Sequence, residues 1–196
     1  GKSRPFPRIS QYCGHIMRPA CLGKTTVPQS RYVTWVFREF SHIIPSSGKV
    51  LDIPCGFGRH SVWLSEAGYS VISADIDTDR ILSFTTISEL ATPGACSGRV
   101  VDANMPLVFV DAPFDIVLIV DFVNLLLLRH VSSWMKSGSL LIYETFANHG
   151  ENWRSLLPTN LTRSVLEPYF EFVHYESRRC GPIEAEVETI RFVAVR

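Results

Sequence analysis

The chain has 196 residues, 46% of them hydrophobic, and its 19 Lys and Arg balance its 19 Asp and Glu. That length suits one α/β domain with a sizeable core and leaves little room for a second, while the absence of net charge gives no pull toward nucleic acid or an anionic membrane. The cysteines (Cys13, Cys21, Cys55, Cys96 and Cys180) form no CxxC and no His/Cys cluster at zinc spacing, so they read as free thiols with no metal.

Residues 1–29 hold Pro5, Pro7, Pro19 and Pro28 with Gly14 and Gly23, and carry Lys2, Arg4, Arg8, Arg18 and Lys24 without a single acid. Phe6, Tyr12, Ile16, Met17 and Leu22 are too many apolar groups for a pure linker. A basic, proline-rich arm or lid is expected there, with the domain proper over 30–196. No apolar signal core stands at the N-terminus, and the most apolar run, Ile116 to Leu128, is broken by Asp121 and Asn124 and too short to span a bilayer. A soluble cytoplasmic protein is the expectation.

From Ser30 the spacing of Val33, Val36, Phe37 and Phe40 predicts a helix that ends near Pro45-Ser46-Ser47-Gly48. Val50 to Ile53 is a short apolar run of the kind that forms a buried parallel strand. Pro54-Cys55-Gly56-Phe57-Gly58 breaks it with a turn in which glycine permits close backbone approach. Val62, Trp63 and Ala67 then give a helix its stripe, Gly68 stops it, and Tyr69 to Ala74 returns to strand before Asp75. Asp75 follows Gly56 by 19 residues, about the spacing at which a nucleotide-binding βαβ unit sets a carboxylate against ribose hydroxyls.

This stretch resembles motif I of class I S-adenosylmethionine-dependent methyltransferases: Asp52, Gly56, Gly58 and Asp75 match the pattern, and Pro54 stands where its first glycine is usual. The rival is a nicotinamide dinucleotide site of an NAD(P)-dependent oxidoreductase, because Gly56-Phe57-Gly58-Arg59-His60-Ser61 is close to G-x-G-x-x-G. A non-catalytic cofactor-binding protein of the same fold is a further alternative.

Beyond Asp77, a helix is predicted from Thr78 to about Leu90, a strand over Gly98 to Val101 leading to Asp102-Ala103, and a strand over Phe114 to Val120 leading to Asp121. Phe122 to Met135 can form a helix, and Ser139 to Tyr143 a strand leading to Glu144. Segments alternating in this way imply parallel strands joined by helical crossovers. Ala147 to Thr162, with Asn148, His149 and Trp153, is a candidate substrate loop; a short helix around Arg163 to Pro168 and strands over Phe170 to Tyr175 and Val187 to Val195 follow.

Ligands of open parallel sheets bind beyond the carboxyl ends of the strands. Asp52, Asp75, Asp102, Asp121 and Glu144 all fall at such ends, and an acidic edge repels the pyrophosphate of a dinucleotide while attracting a sulfonium and an ammonium. The methyltransferase resemblance extends over roughly 30–196, its narrower likeness, carried by PCGFGRHS, FDIVLIVDF and LIYETFA, being to small bacterial enzymes allied to tellurite-resistance and thiopurine methyltransferases. It implies a Rossmann-like, doubly wound seven-stranded mixed sheet with the last strand antiparallel, S-adenosylmethionine as cofactor, and a small-molecule methyl acceptor rather than a nucleic acid or membrane. It also implies cofactor contacts from Asp52, Gly56, Gly58, Asp75, Ile76, Asp102, Ala103, Asp121 and Phe122; Cys55 joins them by its place in the turn, and Asp121 and Glu144, at the ends of their strands, are the candidate catalytic carboxylates. His130, Tyr143 and His149 are further candidates at the rim, and Trp35 and Trp153 could wall a pocket.

Overall fold

The computed structural model describes residues 28–85, 94–148, 157–180 and 187–196. Its elements are α1 (Arg31–Glu39), β1 (Lys49–Asp52), α2 (Arg59–Glu66), β2 (Ser70–Asp75), α3 (Thr78–Leu82), β3 (Cys96–Val100), β4 (Phe114–Val120), α4 (Leu125–His130), β5 (Met135–Asn148), α5 (Thr159–Leu166), β6 (Glu171–Cys180) and β7 (Val187–Val195). The strands make one sheet in the order β3-β2-β1-β4-β5-β7-β6. Neighbours from β3 to β5 pair parallel, and β7 runs antiparallel to both β5 and β6. Strand order reverses between β1 and β4, which makes the carboxyl ends of those two strands the switch point of the sheet.

Side chains alternate across the sheet, so each central strand feeds both faces. Ile116 and Leu118 of β4 pack with Val33 and Val36 of α1 and Leu64 of α2, while Val117 and Ile119 pack with Leu127 and Leu128 of α4 and Leu166 of α5. All four β4 residues are wholly buried. Each such side chain contributes about 1.5–3 kcal/mol of burial, which a polar replacement in the middle of β4 would forfeit.

Several elements differ from the sequence expectation, each for a visible reason. The buried residues of α2 are His60, Ser61 and Leu64; Trp63 of the expected stripe is half-buried against the same core and edge-on to Phe37 at 5.0 Å, whereas Ala67 is exposed, and because His60 and Ser61 are drawn inward by hydrogen bonds the apolar stripe reports only part of the buried face. α4 begins at Leu125, capped by the Asn124 side chain, rather than at Phe122, and a 3-10 turn over Val131–Trp134 replaces its last turn. β5 runs 14 residues to Asn148 because β7 supplies an antiparallel partner along it, from Leu140 opposite Val195 to Asn148 opposite Val187. α3 ends at Leu82 with Ser83 as its C-cap, and Ser83 and Phe84 are turn rather than the helix expected to about Leu90; 86–90 of that expected span lie outside the described residues. Residues 1–27 of the expected arm, and His149 and Trp153 of the expected substrate loop, also lie outside them. Among the described residues no helix is long and apolar enough to cross a membrane, and no group of three or more metal-ligating side chains occurs.

Candidate active site at the carboxyl edge of the sheet

The turn after β1 is built on Asp75. Its carboxylate accepts the Gly56 N–H at 2.8 Å through Oδ2 and the Asp77 N–H at 3.0 Å through Oδ1, and the residue is only 4% exposed. Gly56 and Gly58 both take positive φ, +54° and +74°, which side chains disfavour. Their surroundings differ. A Cβ on Gly58 would be driven into the ring of Phe84, whereas one on Gly56 would meet nothing within 4 Å. Gly58 is therefore required by packing, and Gly56 faces open space.

Beneath the turn, Asp52 is buried and accepts the Ser61 hydroxyl at 2.6 Å. Burial pushes its carboxyl up to about 7, against the opposing pull of the Ser61 bond and the Arg59 charge. Cys55 is buried too, and desolvation, with Asp52 and Asp75 nearby, raises its thiol, so it is not an activated thiolate. Beside the turn, Ile76 is 63% exposed although apolar, and Phe57 is 57% exposed with the Arg80 guanidinium 4.9 Å above its ring. Ala103 is buried, whereas Asp102 lies two residues past β3 and accepts both the backbone and side-chain N–H of Asn104 at 2.9 Å.

On the other side of the switch point, Asp121 follows β4 in the left-handed region at φ 57°, and its N–H donates to the Glu144 carbonyl at 2.8 Å. Its carboxylate is bound by Arg59 at 3.2 Å, and burial raises its pKa against that charge. Phe122 is half-buried against the core cluster of the α4 and α5 face. Glu144 does not end its strand. It sits within β5, level with Val120 of β4 and directly opposite Arg191 of β7, which donates to Oε1 at 2.9 Å. Oε2 accepts the Ser30 hydroxyl, so both oxygens of this buried carboxylate are engaged. Tyr143 is core, stacked on Phe192 at 4.8 Å, and His130 is a solvent-facing residue of α4. Trp35 packs against Tyr32 and Phe40 on α1.

The edge therefore brings together Asp52, Gly56, Asp75, Ile76, Asp121 and Glu144, and adds four residues that sequence reasoning missed: Ser30, Arg59, His60 and Arg191. Arg59 and His60 directly follow the glycine turn, a position that could have flagged them. Arg191 had no such signal, because its place opposite Glu144 is a matter of strand register.

The residues fit an adenosyl ligand. Asp75 keeps lone pairs beyond its two backbone bonds, Gly56 presents an open backbone, and Ile76 offers an exposed apolar surface next to the acid. They fit a pyrophosphate poorly. The Gly56 N–H is turned toward a carboxylate, and the Gly58 N–H donates to the Cys55 carbonyl at 2.9 Å.

Sheet order, a lone antiparallel β7 and an acid ending β2 are together the architecture of class I methyltransferases. Residues 35–138 match the family model for the tellurite resistance protein TehB, and the chain belongs to that family. No curated protein matches the sequence. TehB from Haemophilus influenzae is similar in structure at a TM-score of 0.63 and 18% identity, over 88% of this chain and 63% of that one. A SAM-dependent methyltransferase from Methanosarcina mazei gives 0.59 and 17%, over 80% and 96% of the two chains, and a TehB-like SAM-dependent methyltransferase from Corynebacterium glutamicum 0.56 and 17%, over 81% and 85%. At these identities the structures establish the fold. Family and fold together make S-adenosylmethionine the cofactor.

Proposed function

We propose that the chain is an S-adenosylmethionine-dependent methyltransferase acting on a small-molecule acceptor. The observation that carries this reading is the Gly56 N–H turned onto Asp75: the glycine turn is closed by a carboxylate, a poor phosphate cradle and a good neighbour for ribose hydroxyls and a cationic ligand. Asp75 holds the ribose, Ile76 lies along the adenine, and Asp102 with Ala103 meets its amino edge. Asp52, Cys55 and Gly58 shape the turn from beneath, Gly56 lets the ligand approach, and Asp121 and Phe122 border the methionine portion. When bound, S-adenosylmethionine supplies a methyl carbon already activated by its sulfonium. The protein's part is then to align the acceptor and exclude water.

Of the two carboxylates assigned to the acceptor side, Asp121 is the one placed to take a proton from an acceptor that carries one. Its raised pKa brings it closer to that task, and Arg59 fixes its orientation through one oxygen. Glu144, with both oxygens bound, orients rather than exchanges protons. A small acceptor suits the charge of this edge, because Arg59 and Arg191 are both paired to carboxylates and a nucleic-acid backbone would face the remaining acids.

A thermal-shift comparison of S-adenosylhomocysteine, S-adenosylmethionine, NAD and NADP tests the reading. At a hundred times its dissociation constant the adenosyl ligand should add about 2.7 kcal/mol, which is roughly 5–10 °C in a domain of this size. Stabilisation by NAD or NADP and none by S-adenosylhomocysteine would refute it and favour the oxidoreductase.

A further inference from the structure

Ser30 makes more bonds than a helix cap needs. Its Oγ accepts the Tyr32 and Val33 N–H groups at 3.1 and 3.3 Å, which is the capping function. A cap uses only the oxygen, leaving the hydroxyl proton free, and here that proton goes to Glu144 Oε2, 114 residues away. The Ser30 N–H donates to His60 Nε2 at 3.0 Å, and the Gln29 amide donates to the Arg59 carbonyl at 3.2 Å. Glu144 and His60 are 6% and 3% exposed, so each needs its partner to offset lost hydration.

These bonds close a ring. From Ser30 it passes to Glu144, then through the Glu144 carbonyl to the Asp121 N–H, from the Asp121 carboxylate to Arg59, and from neighbouring His60 back to Ser30. The residue before α1, the end of β4, the body of β5 and the first turn of α2 are thereby locked around the switch point. Arg191 buttresses it by bonding Glu144 and laying its guanidinium 5.5 Å over the Tyr32 ring. Accepting at Nε2 requires a neutral imidazole with its proton on Nδ1, and burial, assisted by the Arg59 charge, lowers the His60 pKa to about 3.

We propose that Ser30 is a positioning residue of the methyltransferase site: acting through Glu144 and His60, it holds the acceptor side, at the ends of β4 and β5, in register with the glycine turn. The inference rests on the adenosyl-binding reading. It assigns to the Ser30 hydroxyl proton a function that helix capping does not require.

Asp caps a helix about as well as Ser, so Ser30→Asp keeps the cap while setting a carboxylate against Glu144. In the full chain, S30D should lose about tenfold in S-adenosylhomocysteine affinity by calorimetry, the scale of one charge-assisted hydrogen bond. Adding Glu144→Gln, whose amide can donate to the new carboxylate, should bring S30D/E144Q to within about threefold of E144Q alone, and Ser30→Thr should match the wild type. Wild-type affinity in S30D, or no recovery in the double variant, overturns the proposal. If S30D does not fold, Ser30→Gly takes its place, since glycine at a cap costs only a few tenths of a kcal/mol: a loss of about fivefold or more supports the proposal, and unchanged affinity overturns it. A wild-type chain that does not bind S-adenosylhomocysteine refutes the methyltransferase reading itself, a result distinct from a wild type that binds and an S30D that binds equally well.

Discussion

Replacing Asp75 with alanine removes one carboxylate and two hydrogen bonds from the point where the glycine turn is anchored. The bonds, at 2.8 Å from the Gly56 N–H and 3.0 Å from the Asp77 N–H, join a nearly buried charge to two backbone donors. A hydrogen bond to a charged group is worth about 1.5–3 kcal/mol; two that share one carboxylate are not additive, so the expected loss of stability is about 2–4 kcal/mol. For a domain of this size that lowers Tm by roughly 5–15 °C. Asp75→Asn keeps one acceptor oxygen and should lose about half as much. Ligand binding is a separate readout, because ribose hydroxyls would use the remaining lone pairs. S-adenosylhomocysteine affinity, measured by calorimetry well below Tm, should fall roughly tenfold to a hundredfold in the alanine variant. A lowered Tm with unchanged affinity would leave Asp75 as a structural anchor of the turn and remove it from the cofactor site. If neither moves, Asp75 anchors neither the turn nor the ligand.

The two glycines separate fold from binding: Gly58→Ala meets the Phe84 ring as well as an unfavourable φ and should destabilise by more than the 1–2 kcal/mol or so of the left-handed conformation alone, whereas Gly56→Ala should lose about that conformational amount and weaken S-adenosylhomocysteine. Equal binding losses from both would refute the distinction. Asp52, raised from 3.8 to about 7, holds in the fold a proton that the unfolded chain releases, so its stabilisation is complete below 3.8 and is lost as pH rises to 7. His60, lowered from 6.5 to about 3, acts oppositely: its contribution is present above 6.5 and lost as pH falls toward 3. Asp52→Asn removes the first slope, so denaturant stability of the variant should rise more steeply with pH between about 4 and 6.5 than that of the wild type, by up to about 1.4 kcal/mol per pH unit. Parallel pH profiles would mean that Asp52 is ionised in the fold. Asp102→Ala should weaken S-adenosylhomocysteine while leaving the preference among adenosine analogues lacking one ribose hydroxyl unchanged; a changed preference would place Asp102 on the ribose.

Local sequence was sufficient wherever a single strand or turn decides the outcome. β4 and β7 span the residues expected of them, Phe114–Val120 and Val187–Val195, α1 begins directly after Ser30, and the positive φ of Gly56 and Gly58 follows from the need to turn sharply after β1. The acid ending β2 was legible for the same reason, since the βαβ unit fixes its distance from the turn within one contiguous stretch. Wherever partners come from distant segments, the sequence underdetermined the result. α2 turns His60 and Ser61 inward because Ser30 and Asp52 wait there, 30 and 9 residues away, and no hydrophobic pattern records that. Glu144 looked like a strand terminator because carboxylates rarely sit inside strands; pairing with β7 sets Arg191 opposite it and makes an interior carboxylate tolerable. A hydrogen bond satisfies a buried polar group only when donor and acceptor meet in space. The chain thus encodes which groups need partners, and the packing of the sheet against its helices decides which partners they find.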